Sequence, residues 1–294
     1  MNHAILLSGG VGSRLGLDTP KQYLRVAGRM VVTYALRSLL ENSHVDAVWI
    51  VADTKYREDI LTDAEAVGHS TEKIKGFSDP GETRQSSILN GLEAICDGSS
   101  VSEKDTVLIH DAARPLLSQD LINACYEALD GRFAEMDMPL CGQRLVERAR
   151  SDLALPRSIE PAGWAGHEQV LPCSIGHDGV LPVLPMKDTV YLGSIGGRLE
   201  SLLDRGKVLA GQAPELFNLK KYVAANRSLT QEQLAGIHGS TEPAVMAGMD
   251  IVTIPGDERN FKITTVSDLE RFKSIVEGED ASRYQFGVQR FETS

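Results

Sequence analysis

The chain has 294 residues, of which 42% are hydrophobic and 24% are charged, and its formal net charge is −11. This composition is typical of a water-soluble globular protein, and the acidic balance excludes a protein that binds nucleic acid over its whole surface. No apolar run approaches the ~18 residues of a membrane span, and the opening MNHAILLSGG lacks the pattern of a signal peptide. We therefore expect a cytoplasmic protein without a nucleic-acid or membrane partner.

Strand and helix patterns alternate over the first 130 residues. Apolar runs predict strands at residues 4–8, 46–52 and 105–110, and helical periodicity predicts helices at 30–42, 83–95 and 118–129, the last with Ser118 as its N-cap. This alternation predicts an α/β layered fold with a mostly parallel sheet. Ligands gather at the carboxyl ends of such strands, so we expect the loops SGGVGSR and HDAARP to meet over one site.

The pattern fails between residues 133 and 176, where proline and glycine recur without a sustained period. We interpret this segment as an irregular insertion. Order returns with a strand–turn–strand pattern at 178–193 and a helix at 266–278, and residues 279–294 have the composition of a frayed tail. We predict a single domain over 1–278 that carries the insertion.

The four cysteines and seven histidines are dispersed. Cys96, Cys125, Cys141 and Cys173 form no CxxC pair, and the histidines near Cys173 lack finger or ribbon spacing. We predict buried or incidental thiols, with neither a zinc site nor a disulfide framework.

The glycine-rich loop after the first strand matches neither familiar phosphate-binding fingerprint. The third glycine of G-x-G-x-x-G is missing, and no lysine follows these glycines as a P-loop requires. What remains is flexible backbone followed by Arg14 and, behind Pro20, by Lys21. Two cations that cannot pair with each other indicate an anion between them. The alternative is a turn with two solvated surface cations.

The segment IHDAARP offers a carboxylate for that site. Asp111 follows a strongly apolar strand, and Arg114 comes three residues later. Magnesium is commonly bound through one or two carboxylates together with substrate phosphates, so Asp111 is a candidate ligand. The alternative is a structural ion pair between Asp111 and Arg114 within the loop.

Six blocks in order carry a family resemblance: GGVGSRLG…PKQYL, GETRQSS, VLIHDAARP, MKDTV, LLDRGKVLAGQAP and GDERNFKITTVSDL. From Ala4 to about Phe272 the chain resembles the cytidylyltransferases that make CDP-methylerythritol from 2-C-methyl-D-erythritol 4-phosphate. The similar ribitol-5-phosphate cytidylyltransferases share most of these blocks. The resemblance implies a Rossmann-like three-layer nucleotidyltransferase fold with a mostly parallel sheet and a protruding β-arm.

The resemblance also implies site residues for CTP and a polyol phosphate. Arg14, Lys21 and Lys262 would be catalytic; Ser8, Gly9, Gly10, Gly12, Gly81, Glu82 and Ser87 would bind the nucleotide; Asp111, Arg114, Thr189, Arg205 and Thr241 would bind substrate. Asp111 would ligate Mg²⁺, with Asp257 as a candidate second metal contact. Thr189 and Arg205 would lie on or near an arm that crosses a homodimer interface and would grip the substrate of the opposite subunit.

The implied chemistry agrees with these residue types. A phosphate oxygen of the acceptor attacks the α-phosphorus of CTP in line and pyrophosphate leaves, which requires charge stabilisation rather than a covalent nucleophile. STEPAVMAG and Ala213 depart from the family pattern where acceptor contacts are expected. These departures leave the expected acceptor open between methylerythritol phosphate and another polyol phosphate such as ribitol 5-phosphate. An inactive nucleotide-binding relative and a sugar-1-phosphate nucleotidyltransferase are the remaining alternatives.

Overall fold

The fold is known from a computed structural model that describes residues 1–10, 19–66, 68–132 and 176–278. The strands are β1 (Asn2–Leu7), β2 (Arg25–Val26), β3 (Arg29–Met30), β4 (Ala47–Val51), β5 (Ile74–Ser78), β6 (Thr106–Asp111), β7 (Gly179–Pro185), β8 (Val190–Gly193), β9 (Leu199–Leu203), β10 (Leu209–Gly211), β11 (Glu215–Asn218) and β12 (Ile251–Pro255). The helices are α1 (Val31–Glu41), α2 (Arg57–Ala66), α3 (Arg84–Gly98), α4 (Gln119–Leu129), α5 (Leu219–Arg227), α6 (Gln231–Gly236), α7 (Glu242–Met246) and α8 (Val266–Glu277). The predicted insertion, apart from Gly176, and the predicted frayed tail lie outside the described residues.

The centre of the molecule is an eight-stranded sheet in the order β10-β7-β11-β6-β1-β4-β5, with β12 beside β7. The pairs β6–β1, β1–β4, β4–β5 and β7–β12 are parallel, whereas β11 runs antiparallel to both β6 and β7. This confirms the mostly parallel sheet. Strands from both sides of the predicted insertion share this one sheet, and on that ground we propose that residues 1–278 form one domain.

Both faces of the sheet are covered by helices. In β4, Val48 and Ile50 pack into the core beneath α1 and α4, whereas Trp49 and Val51 pack against α3 on the other face. A strand buried on both faces needs apolar side chains at every position, which explains why its sequence is continuously apolar. The helix–sheet–helix arrangement confirms the predicted three layers.

The predicted helices are present with shifted ends. The helix predicted at 30–42 spans Val31–Glu41, and the helix predicted at 83–95 continues to Gly98. Ser118 caps α4 by accepting a hydrogen bond from the backbone N–H of Leu121, as predicted. None of the helices in the described ranges is long and apolar enough to cross a lipid bilayer.

The pattern at 178–193 predicts two consecutive strands, and both are present as β7 and β8. They do not form a hairpin with each other, because β7 pairs with β10, β11 and β12, whereas β8 pairs with β9. The β8–β9 hairpin forms an arm whose side chains are largely exposed. This arm is the protruding β-arm that the resemblance implies.

A third apolar cluster joins α8 to α1. Phe272 is fully buried and meets Tyr34 edge to face, with ring centroids 5.1 Å apart. Ile263 belongs to the same cluster and its backbone N–H donates to the carbonyl of Ala113 at 2.8 Å. This packing fixes the segment that carries Lys262 against the loop that follows β6.

Candidate active site

The candidate site lies at the carboxyl ends of β1 and β6. These strands are adjacent and parallel, and their last residues, Leu7 and Asp111, are register partners. The glycine-rich loop that follows Leu7 and the loop that follows Asp111 therefore leave the sheet side by side. This is the meeting of two loops that the sequence predicts.

The beginning of the glycine-rich loop is held by side chains. Gln22 donates from Nε2 to the carbonyls of Ser8 and Gly10, both at 2.6 Å, and the Tyr23 hydroxyl donates to the Ser8 carbonyl at 2.7 Å. The Ser8 hydroxyl donates to the carbonyl of Val51 at 2.9 Å. These bonds fix the carbonyls of the loop before any ligand binds. Gly12 and Arg14 lie outside the described residues.

A second loop packs directly onto this one. A Cβ atom at Gly9 would lie 2.2 Å from the Cβ of Pro80, so no larger residue fits there without a shift of the backbone. Gly81 follows and donates its backbone N–H to the Ser87 hydroxyl at 3.0 Å. Glu82 is exposed beside it. The structure thus brings together the described residues that the resemblance assigns to nucleotide binding.

Asp111 is a buried carboxylate between two cations. Arg84 donates from Nε to Oδ1 at 3.0 Å, and Lys262 donates from Nζ to Oδ2 at 2.8 Å. Burial by itself raises the pKa of Asp111, but the charges of Arg84 and Lys262 outweigh it and hold this pKa well below its ordinary value. Asp111 is therefore ionised at neutral pH.

A second buried carboxylate, Glu215, lies behind Arg84. Its Oε1 is 3.7 Å from Nη2 of Arg84, and its Oε2 accepts hydrogen bonds from the hydroxyls of Ser240 and Thr241. Burial raises the pKa of the Glu215 carboxyl, and the charge of Arg84 acts in the opposite direction. The hydroxyl of Thr241, to which the resemblance assigns substrate binding, thus donates a hydrogen bond to Glu215.

Two other predicted cations, Arg114 and Lys21, contact the segment around Ile263. Arg114 donates from Nη1 to the carbonyl of Asn260 at 2.7 Å, and Lys21 donates from Nζ to the carbonyl of Ile263. Lys262 lies between these two acceptors in the chain. The structure therefore places Lys21, Arg114 and Lys262 around the loop of Asp111, which gives a cationic site within an acidic protein.

Asp257 and the pair Thr189 and Arg205 have contacts other than those around Asp111. Asp257 is paired with Arg259, with Nε of the arginine 3.2 Å from its Oδ1. Arg205 is exposed and donates from Nη1 to the carbonyl of Lys187 at 2.9 Å, two residues before Thr189. Thr189 and Arg205 thus lie close together at the base of the arm, and both side chains are accessible.

The donor set at Asp111 fits a magnesium ion only in part. Within the described ranges no three His, Cys, Asp or Glu side chains gather into a metal cage. One buried, ionised carboxylate beside a phosphate site does suit Mg²⁺, because this ion prefers carboxylate and phosphate oxygens and keeps several waters. The ion would therefore have to share Asp111 with the phosphates of a bound nucleotide.

Sequence reasoning missed three residues of this site. Arg84 lies within the quoted block GETRQSS, Glu215 immediately follows the block LLDRGKVLAGQAP, and Ser240 immediately precedes Thr241. A charged residue within an otherwise mostly apolar stretch, as in GQAPELF, was the available signal for a buried carboxylate. Their partners are distant in the chain, so only the folded structure shows the network.

Comparison with known proteins agrees with the fold and with the ordered blocks. The family model of 2-C-methyl-D-erythritol 4-phosphate cytidylyltransferase (IspD) matches residues 2–139 and 168–278. The cytidylyltransferase of that name from Nitrosomonas eutropha is 27% identical over 277 residues, covering 93% of this chain and 95% of its own. The Francisella tularensis enzyme structure aligns over 92% of this chain and 97% of its own, with a TM-score of 0.63 at 21% identity, and supports the fold.

Longer relatives also match. The bifunctional enzyme IspD/IspF of Paramagnetospirillum magneticum is 30% identical over 291 residues, which is 98% of this chain and 60% of that protein. This chain spans between 54% and 60% of the length of the first three bifunctional relatives. The family model covers most of this chain, and the chain belongs to the 2-C-methyl-D-erythritol 4-phosphate cytidylyltransferase family.

Proposed function

We propose that this protein transfers a cytidylyl group from CTP to 2-C-methyl-D-erythritol 4-phosphate, forming CDP-methylerythritol and releasing pyrophosphate. The observation that carries the proposal is the position of Asp111, paired with Arg84 and Lys262 beside the glycine-rich loop. The family membership supports the same reaction. A cytoplasmic location is part of the proposal.

The proposed reaction is an in-line displacement at the α-phosphorus of CTP. The acceptor phosphate is already deprotonated near neutral pH, so the site needs no strong general base. It needs cations that hold two polyanions together and stabilise the charge on the transferring phosphoryl group. Lys21 and Lys262 are the described residues that would do so, with Arg14 as the proposed third.

The nucleotide would bind along the loops that begin at Ser8 and Gly81. Gly9 packs onto Pro80, which brings the two loops together, and Gly10 and Glu82 are exposed there, so that a base and phosphates can reach peptide groups of both loops. Glu82 and Ser87 are the proposed partners of the cytosine and the ribose. When bound, Mg²⁺ would neutralise phosphate charge next to Asp111, and Asp257 is a candidate second contact.

We further propose a homodimer formed through the arm. Tyr191, Leu192, Ile195, Leu199 and Leu202 are exposed apolar side chains on this two-stranded element. A hairpin of this size is marginal in water by itself, and a cluster of exposed apolar residues marks an interaction surface. In the dimer, Thr189 and Arg205 of the partner subunit would bind the acceptor phosphate.

Pyrophosphate release by the purified protein tests the reaction. We expect release with CTP, Mg²⁺ and 2-C-methyl-D-erythritol 4-phosphate, much slower release from the Asp111→Ala variant, and none with CTP alone. D-ribitol 5-phosphate in a separate assay distinguishes the other family activity. Turnover with ribitol 5-phosphate alone would overturn the proposed acceptor. No pyrophosphate release with either acceptor would overturn the proposed function.

A further inference from the structure

Arg84 connects four separate parts of the chain at the candidate site. It is the first residue of α3, and its guanidinium contacts the end of β6, the start of β11 and the loop before α7. Nε donates to Asp111 at 3.0 Å, Nη1 donates to the Ser240 hydroxyl at 2.6 Å, and Nη2 lies 3.7 Å from Glu215. Each guanidinium nitrogen therefore has its own oxygen neighbour.

The backbone of Arg84 is fixed by the beginning of the helix. Thr83 caps α3 in a capping box with Ser86, so the position of the first helical residue is set by two reciprocal hydrogen bonds. Ile88 and Leu92 are fully buried and attach the helix to the sheet. The side chain of Arg84 therefore extends from a rigid point.

Glu215 fixes the far side of the guanidinium. It begins β11, whose register pairs Glu215 with Ile109, two residues before Asp111 on the neighbouring strand. The Ser240 hydroxyl accepts a hydrogen bond from Arg84 and donates a hydrogen bond to Glu215. The planar guanidinium can satisfy these directions at once, which a lysine ammonium cannot do in the same geometry.

The two cations on Asp111 differ in what else they contact. Among the described residues, Lys262 hydrogen-bonds to Oδ2 of Asp111 from a half-exposed side chain, whereas Arg84 contacts Ser240 and Glu215 as well as Oδ1 of Asp111. A half-exposed lysine side chain can turn towards an arriving phosphate. A cation that is held from three sides keeps the carboxylate in place.

We propose that Arg84 is a positioning residue that orients Asp111 and is itself oriented by Ser240 and Glu215. The inference rests on the proposed function, in which Asp111 faces the metal–nucleotide complex. Residues that orient a ligating carboxylate typically change metal affinity or activity by about 10–100-fold when they are substituted.

The first test is Arg84→Lys, with Arg227→Lys as the matched control. Arg227 makes a two-point ion pair with Glu93 on the same helix α3, away from Asp111. We expect Arg84→Lys to lower kcat by about 10–100-fold, to change the KM for the polyol phosphate by less than about threefold, and to raise the Mg²⁺ concentration required for CTP binding in calorimetry. The control variant should match the wild type in all three measurements.

The second test asks whether Arg84 acts through Asp111. In an Asp111→Asn background, Arg84→Lys should cost less than about twofold in residual kcat, because coupled residues are not additive. Multiplicative losses would overturn the inference and indicate that Arg84 contacts substrate directly. Ser240→Ala, which removes only one contact of the guanidinium, should shift the Mg²⁺ requirement in the same direction if Arg84→Lys does not fold.

Failure of this inference differs from failure of the proposed function. An active wild type whose Arg84→Lys variant keeps full kcat and an unchanged Mg²⁺ requirement would overturn the role of Arg84 alone. A wild type that releases no pyrophosphate with any acceptor would overturn the reaction. The calorimetric Mg²⁺ requirement for CTP binding would still decide whether Arg84 orients Asp111.

Discussion

Lys21 is the first residue of a short 3₁₀ helix that follows the glycine-rich loop. Gln22 and Tyr23, its neighbours in this helix, are buried and hold the loop through Ser8. The ammonium of Lys21 reaches the carbonyl of Ile263, the residue after Lys262. This contact links the two lysines that the proposed reaction uses.

Replacing Lys21 tests its role at the residue scale. Lys21→Ala should lower kcat by roughly 10²–10³-fold, the typical loss when one charge-stabilising donor is removed. Steady-state pyrophosphate release measures this, and thermal unfolding should show that the fold is kept. Lys73→Ala is the matched control, because Lys73 also donates to a backbone carbonyl, that of Asn42, at 2.7 Å. Activity within about threefold of wild type would remove Lys21 from the mechanism.

The sequence indicates some site residues and hides others for a physical reason. Asp111 and Lys21 each follow a recognisable strand or loop, so their place at a strand end can be predicted. Arg84 resembles an ordinary surface residue of a helix, and Glu215 resembles an ordinary strand residue. Their importance comes from a shared hydrogen-bond partner, Ser240. Because Ser240 is distant from both residues in the chain, the local sequence pattern does not indicate this contact.

The N-terminal ends of the helices are predicted to within one residue, whereas the C-terminal end of α3 lies three residues beyond its prediction. Capping residues are local signals, and Ser118 and Thr83 both lie at the N-terminus of the helix that their sequence predicts. Strand pairing was not predictable in the same way. β8 follows β7 across a predicted turn, yet it pairs with β9, because the choice of partner depends on tertiary contacts rather than on local pattern.

The arm gives a prediction about assembly. Leu202 is exposed and lies opposite Tyr191 in the hairpin, so a charge there would be buried in the proposed dimer interface. Leu202→Asp should convert the dimer to a monomer in light scattering and should also lower activity, because Arg205 of the partner subunit would be lost. Glu200→Ala, on the same strand, should stay dimeric. A wild type that is monomeric at all concentrations would contradict the proposal.

The whole molecule should lose stability in mild acid. His3 and His110 are buried, and burial lowers the pKa of both, that of His110 from 6.5 to about 4. Between these values the unfolded chain binds more protons than the folded one. The contribution of the buried neutral histidines to the free energy of unfolding is therefore complete above pH 6.5 and is lost as the pH falls towards 4. His110 alone should reduce the free energy of unfolding by about 2 kcal/mol between pH 7.5 and pH 5.

Urea denaturation at several pH values measures this effect. His110→Asn should reduce the slope of the unfolding free energy against pH by an amount that corresponds to nearly one proton taken up on unfolding. This change in slope is independent of the effect of the substitution on stability at pH 7.5. His238→Ala, which replaces an exposed histidine, is the matched control. A wild-type stability that is constant between pH 7.5 and pH 5 would contradict the assignment of buried neutral histidines.

The sequence by itself determined the α/β class, the order of the main strands and helices, and the two loops that carry Lys21 and Asp111. These features follow from local periodicity, capping and turn chemistry, which act over a few residues. Only the tertiary structure decided that Arg84 and Glu215 share a network with Asp111, and that Lys21 and Lys262 meet through Ile263. Such contacts depend on how the sheet and α8 bring distant segments of the chain together, and a local sequence pattern does not encode contacts of this kind.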